Sequence, residues 1–164
     1  MALIAMTTAD TVEYVSDYDP AKKYAEPPLA GGIVPIVRPF TVGSGATTFK
    51  LRGLDVFLNG YIYDNASQLS RREGDESVGI HTRVNQTKIE AVRHGLVGLD
   101  NFNDAKGAAV KFETQKAVVN GRVYDVVADT VMNKLGLRLI QELAAEIKRI
   151  SEVSKAEEKN SVGV

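Results

Sequence analysis

Apolar and polar positions change spacing several times along this chain, and each change marks an element. Thr11-Val12-Glu13-Tyr14-Val15 alternates, the pattern of a half-buried strand. Asp17-Tyr18-Asp19-Pro20 closes it with turn-forming residues. Thr47-Thr48-Phe49-Lys50-Leu51 reads as a second strand that could pair with the first in a two-stranded ribbon. Leu54, Phe57, Leu58, Tyr61 and Ile62 then recur at i, i+3, i+4, i+7 and i+8, one face of a helix. Gly60 weakens that helix by about 1 kcal/mol relative to Ala, and the aromatic content leaves a strand open as the alternative. Residues 67–83 are polar and read as a loop. A second helix is expected to begin near Thr87, because Thr87 and Glu90 have capping-box spacing. Ile89, Val92 and Leu96 continue its apolar stripe, and Gly95 or Gly98 can end it.

The second half of the chain is punctuated more sharply. Asp104-Ala105-Lys106-Gly107 reads as a turn between Leu96–Phe102 and Val110–Phe112. Asn120-Gly121, between Ala117-Val118-Val119 and Arg122-Val123-Tyr124, predicts a hairpin. Both turn residues tolerate the positive φ of a type I′ turn, whose twist matches the strands. Asp129 or Thr130 can cap a long last helix over residues 130–154, which Gly136 divides near its start. Leu139, Ile140, Leu143, Ile147, Ile150 and Ser154 form its apolar stripe, and Arg138, Glu142, Lys148, Arg149 and Glu152 the opposite face. Residues 155–164 are charged, then small, and read as a frayed tail. The pattern as a whole predicts a single α+β domain over residues 1–164.

One segment fits no regular pattern. Residues 20–46 contain Pro20, Pro27, Pro28, Pro35 and Pro39, all five prolines of the chain, together with four glycines. Such a stretch is neither a continuous helix nor a central strand, and it reads as an extended arm or long loop. It nevertheless carries Ile33, Val34, Ile36, Val37, Phe40 and Val42, an apolar content unusual for a free linker. Ile33, Val34, Ile36, Val37 and Phe40 are therefore candidate partner-binding residues. Leu143 and Ile147 join them if the last helix offers its stripe to a partner; the same stripe is also what an ordinary core requires, and core is the expected outcome for Leu143.

Composition narrows the function classes. In 164 residues, Lys plus Arg is 20 against 21 for Asp plus Glu, a net charge of −1. That gives no basic footprint for nucleic acid. No apolar run approaches the ~20 residues of a membrane helix. Cysteine is absent, which removes disulfides, thiol catalysis and sulfur-based zinc sites. Met1-Ala2-Leu3-Ile4-Ala5-Met6 is apolar but too short, and without basic residues, to read as a signal peptide. The chain reads as soluble and intracellular, and the sequons at Asn65 and Asn85 then carry little weight.

Signatures of chemistry are missing. Gly43-Ser44-Gly45-Ala46-Thr47-Thr48 lacks the third glycine of a dinucleotide loop, and no Walker A sequence occurs. His81 and His94 are thirteen positions apart with no HExxH. Asp100-Asn101-Phe102-Asn103-Asp104 fails the calcium-loop pattern, with Phe102 at position 3 and Ala105 at position 6. No G-x-S-x-G elbow is present. A non-enzymatic protein with no cofactor and no metal is expected, with a small enzyme as the disfavoured class.

Three passages resemble a known family. The first is Thr11-Val12-Glu13-Tyr14-Val15-Ser16-Asp17-Tyr18-Asp19-Pro20, followed by Thr48-Phe49-Lys50-Leu51. The second is Val92-Arg93-His94-Gly95-Leu96-Val97-Gly98-Leu99-Asp100-Asn101-Phe102, leading into Val110-Lys111-Phe112-Glu113. The third runs from Leu139-Ile140-Gln141-Glu142-Leu143-Ala144 through Ile150-Ser151 to Glu157-Glu158-Lys159-Asn160-Ser161. In this order they resemble the tail assembly chaperones of long-tailed bacteriophages, although Leu99 stands where the family has tryptophan. The resemblance implies a non-enzymatic factor that coats the tape-measure protein in the host cytoplasm during tail morphogenesis. It implies tail proteins as partners, self-association left open, and neither nucleic acid nor membrane. The alternative is a virion structural protein, such as a head–tail connector, tail or capsid-associated subunit, whose arm reaches a neighbouring subunit.

Overall fold

A computed structural model of the chain describes residues 10–25, 39–70 and 76–152. The architecture is α+β: the described residues form three helices and three small antiparallel sheets, the last element being a long helix. Strand β1 (Thr11–Tyr14) pairs with β4 (Thr48–Arg52), Val12 opposite Leu51 and Tyr14 opposite Phe49. This is the ribbon that the alternation predicted, but it gains a third strand. β5 (Leu96–Asp100) lies on the other side of β4, so β4 is central, and its Phe49 and Leu51 are fully buried.

The arm has an ordered base. Strands β2 (Lys22–Tyr24) and β3 (Phe40–Val42) pair antiparallel, Tyr24 opposite Phe40. Backbone hydrogen bonds continue the pairing at Ala25 to Pro39 and at Gly43 to Ala21. Residues 26–38, with Ile33, Val34, Ile36 and Val37, lie outside the described residues.

Helix α1 (Val56–Ser70) is the helix expected from the 54–62 stripe. Asp55 caps it, its Oδ1 accepting the Leu58 amide at 2.8 Å. Its stripe divides, however: Leu54, Leu58 and Ile62 are buried, while Phe57 and Tyr61 are exposed. Helix α2 (Glu76–Gly95) corrects the sequence reading most. Residues 67–70 and 76–83 are helical rather than loop, and Thr87 and Glu90 lie inside a helix rather than at its start. Polarity marks a solvated helix face as readily as a loop. Extending an existing helix adds one hydrogen bond per residue fixed, and the Gln86–Glu90 side-chain hydrogen bond at 3.0 Å adds i,i+4 support. The helix ends at Gly95 as expected, and β5 follows without a loop. A Cβ on Gly95 would come within 2.6–2.9 Å of three Ile147 side-chain carbons, so glycine there also permits close packing.

The 104–107 turn forms as predicted, with Asp104 Oδ1 accepting the amides of Lys106 and Ala108. Strands β6 (Thr114–Val119) and β7 (Arg122–Val127) form the predicted hairpin. Asn120 and Gly121 have φ of 49° and 76°, as a type I′ turn requires. Helix α3 spans Asp129–Glu152 and is interrupted at Gly136, whose φ of 75° and ψ of 157° are not helical. Neither expected cap lies at the cap position. The Ala128 carbonyl accepts the first helical bonds, which puts Asp129 and Thr130 in the first turn, where Asp129 forms an ion pair with Arg93 of α2.

The core lies where α1, α2 and α3 meet the inner face of β4. Ser151 near the end of α3 ties the chain together there, accepting the Leu54 amide at 2.8 Å and donating to the Ile147 carbonyl at 2.6 Å. His94 is buried, edge-on to Tyr124 with ring centroids 5.4 Å apart. Its Nδ1 has no hydrogen-bond partner among the described residues. Burial, reinforced by Arg52 and Arg93 and opposed by Asp55, holds its pKa below the usual 6.5.

Two outcomes follow from this core. Leu143 is fully buried, so Leu143→Ala should lower unfolding free energy by about 2–5 kcal/mol in urea titrations; a loss below about 1 kcal/mol would show that its stripe is not core. The second concerns acid. Because His94 resists protonation when folded but not when unfolded, its contribution is complete above about pH 6.5 and declines as pH falls below that. The urea midpoint should therefore drop between pH 7.5 and 5.5, and drop less in His94→Phe; equal drops in the two proteins would remove His94 as the cause.

Candidate functional site

The first strand, the arm base and α3 meet at one junction. Asp17-Tyr18-Asp19-Pro20 turns the chain sharply. The Asp19 amide donates to the Ser16 carbonyl, and Asp19 Oδ1 accepts the Ala21 amide at 2.8 Å. The other carboxylate oxygen of Asp19 accepts the Thr47 amide at 2.7 Å, which fixes the turn to the start of β4. Local turn chemistry thus becomes a tertiary contact.

Glu142 on α3 holds this turn. Its carboxylate accepts hydrogen bonds from the Tyr14 hydroxyl at 2.8 Å, the Ser16 hydroxyl at 2.7 Å and the Asp17 amide at 2.8 Å. Burial, and then the hydrogen bond to Glu142, push the Tyr14 phenol far above its ordinary range. With three donors engaged, the carboxylate acts as a clasp rather than as a free acid or base.

Lys22 extends the clasp to the arm. Its side chain is only 5% exposed. The ammonium bonds to Asp17 Oδ1 at 2.6 Å and to the Val15 carbonyl at 3.1 Å. It also lies 4.5 Å from the Phe40 ring centroid, 5.2 Å from Tyr24 and 5.3 Å from Tyr14, within cation–π range of each. Hydrogen bonds from Lys22 and Tyr24 hold the Asp17 carboxyl below its usual range. For Lys22, burial acts to lower the pKa, but the bonds to Asp17 and Tyr24 outweigh it and the net shift is upward. Both ends of the arm are therefore pinned to β1, and through Glu142 to α3.

Beside this clasp lies an open groove of about 370 Å³. Phe49, Phe102, Leu135 and Leu139 supply its apolar lining, and Tyr18 and Arg138 its rim. Phe49 and Phe102 pack edge to face, 5.8 Å between centroids, which sets the floor. The Arg138 guanidinium lies 3.5 Å from the Tyr18 ring centroid. Among the described residues it has no carboxylate partner, so it is available to one. Also among the described residues, no group of three or more His, Cys, Asp or Glu could hold a metal ion.

Of the seven candidate residues, three are among the described ones. Ile33, Val34, Ile36 and Val37 lie outside the described residues. Phe40 is half exposed, with its ring against Lys22. Leu143 and Ile147 are fully buried and so are not presented to a partner. The part of α3 that does face the groove is its stretch around the Gly136 break, Leu135, Arg138 and Leu139. The sequence pattern places Arg138 and Glu142 on a polar outer face; their i,i+4 spacing is the available signal, since it puts both on the flank that meets Tyr14, Ser16 and Tyr18. Nothing local marked Tyr18, Phe49 and Phe102 as neighbours, because three separate segments bring them together. No known protein family, no curated protein and no solved structure matches the chain.

The clasp is directly measurable. Glu142→Ala orphans three donors, two of them on side chains that are half-buried or buried, and should cost about 2–3 kcal/mol in chemical denaturation. Glu142→Gln keeps the shape and should cost less. A change under about 0.5 kcal/mol for the alanine variant would show that the β1–α3 junction holds without it.

Proposed function

We propose that the protein is a non-enzymatic phage tail assembly chaperone whose α3 groove receives an apolar, acid-bearing segment of the tape-measure protein. One observation supports the reading: each of the three passages of the family resemblance contributes a residue to the same groove. Tyr18 comes from the first passage, Phe49 from the Thr48–Leu51 segment that follows it, Phe102 from the second passage and Leu139 from the third. Four separated segments that resemble one family converge on one concave surface. The groove's chemistry suits such a client. An apolar floor accepts the side chains of an amphipathic helix, and Arg138 at the rim offers a planar pair of donors to a carboxylate.

Binding during assembly in the host cytoplasm requires neither a cofactor nor a membrane anchor. No helix among the described residues is long and apolar enough to cross a membrane. A second reading draws on the arm. The β2–β3 pairing and the Lys22 cage bring the two ends of residues 26–38 side by side, which suits a virion structural protein that extends this arm to a neighbouring subunit.

Co-expression with the tape-measure protein encoded in the same phage genome tests the first reading. The wild-type chain should co-purify with it. Leu139→Glu and Arg138→Glu should each weaken the complex about tenfold or more while leaving circular dichroism unchanged. Retention of full binding by both variants would sink the groove assignment. Mass spectrometry of purified virions separates the two readings, since a chaperone should be absent from the mature particle and a structural subunit present.

A further inference from the structure

The β6–β7 hairpin carries an open edge. The Ala128 amide donates to the Glu113 carbonyl at 2.9 Å, which continues the register in which Thr114 faces Val127. Antiparallel pairs alternate between hydrogen-bonded and non-hydrogen-bonded. Gln115, Ala117 and Val119 therefore point their amides and carbonyls at β7, and Thr114, Lys116 and Val118 point theirs away from it. No described strand lies on that side of β6, and Thr114, Lys116 and Val118 are all exposed. Their backbone groups have the spacing of a strand that lacks a neighbour, and what such an edge recognises is another extended backbone.

Edges are ordinarily guarded by proline, a bulge or a charge. Strand β6 has six residues, neither proline nor glycine among them, and an unbroken register with β7. Its single charge, Lys116, is paired across the hairpin with Asp125 at 2.5 Å. On the same outer face Val118 lies opposite Val123, and the two are 68 and 63% exposed.

We propose that β6 is a self-association edge, which pairs antiparallel with β6 of a second copy about a two-fold axis at Ala117. The sequence of the edge selects both partner and register. Only the outward-pointing residues can form hydrogen-bonded pairs across the axis. An axis at Lys116 would set that residue directly against Lys116 of the second copy, and like charges directly opposite are destabilising. An axis at Ala117 sets Lys116 opposite Val118 of the second copy, and Ala117 opposite its own counterpart. Lys116 and Val118 of each chain then exchange backbone hydrogen bonds across the axis. Each Lys116 keeps Asp125 on its other side, while its methylene stem covers a valine of the second copy. The strand is complementary to itself in charge as well as in backbone. A net charge of −1 over 164 residues adds little repulsion between copies.

The chain contains no cysteine, so Ala117→Cys introduces a single thiol at the axis. There it forms a non-hydrogen-bonded pair with its counterpart, Cα atoms ~4.5 Å apart, within disulfide range. Oxidation of this variant should give a covalent dimer. Thr114→Cys, which the register places ~20 Å from its counterpart, should not. Sedimentation equilibrium of the unaltered chain should show a reversible dimer. Val118→Lys sets lysine against lysine and should weaken that dimer about tenfold or more. Val118→Glu sets a carboxylate against Lys116 of the second copy and should weaken it less. Circular dichroism should be unchanged in both, because Val118 is exposed. A chain still monomeric at about 1 mM would overturn the proposal. So would a dimer that Val118→Lys leaves unchanged, or equal covalent yields at positions 117 and 114. Protection of the Lys116 and Val118 amides from hydrogen exchange in the dilute monomer would also overturn it, by assigning the edge to another segment of the same chain. The measurements use the isolated protein and leave the α3 groove unaltered, so their outcome is independent of the tape-measure reading.

Discussion

The Glu142 carboxylate is the point on which the arrangement turns. It lies halfway along α3, more than a hundred residues from the strand and turn it grips, and its three acceptor bonds go to Tyr14, Ser16 and Asp17. Without them, β1 is a four-residue edge strand held on one side only, by β4. Short edge strands of this kind have little independent stability. The clasp does more than add hydrogen bonds. It fixes the turn that places Tyr18 opposite Arg138 and orients Tyr14 toward the Lys22 ammonium. Groove rim and arm base are both set by one side chain of α3.

The break at Gly136 divides the work of that helix. Before it, Val131, Met132 and Leu135 are buried and continue the packing from β7; after it, Ile140, Leu143, Ala144 and Ile147 are buried. The left-handed φ at Gly136 is accessible to glycine at little cost. It lets the two segments take different directions, and the groove lies beside the junction. Close packing then depends on a second glycine, Gly95, where α2 ends against Ile147.

The described surface is not uniformly polar. The α3 groove combines an apolar floor with a guanidinium that stacks on Tyr18 and has no carboxylate partner among the described residues, and the first turns of α1 expose apolar side chains. The two differ in chemistry: one has a guanidinium at its rim, and the other is apolar with the Arg122 cation stacked on the Phe57 ring.

Elements governed by local rules were legible in the sequence. The Asn120-Gly121 hairpin, the Asp104–Gly107 turn, the Gly136 break, the β1 and β4 strands and the α3 stripe all follow from φ preferences or from periods of 2 and 3.6 residues, which neighbouring residues decide among themselves. The α2 boundary was misread because a polar helix and a polar loop have the same composition, and only tertiary packing distinguishes them. The α1 stripe was read correctly as a helix but not by face, since Phe57 and Tyr61 on one side of its apolar arc are exposed. The groove was not legible at all. Tyr18, Phe49, Phe102 and Leu139 are each unremarkable locally, and the long-range bonds of Glu142, Asp19 and Ser151 decide that they meet. Sequence determined which elements form, because their energetics are local; the tertiary structure decided which surfaces remain open, because that depends on what the rest of the chain covers.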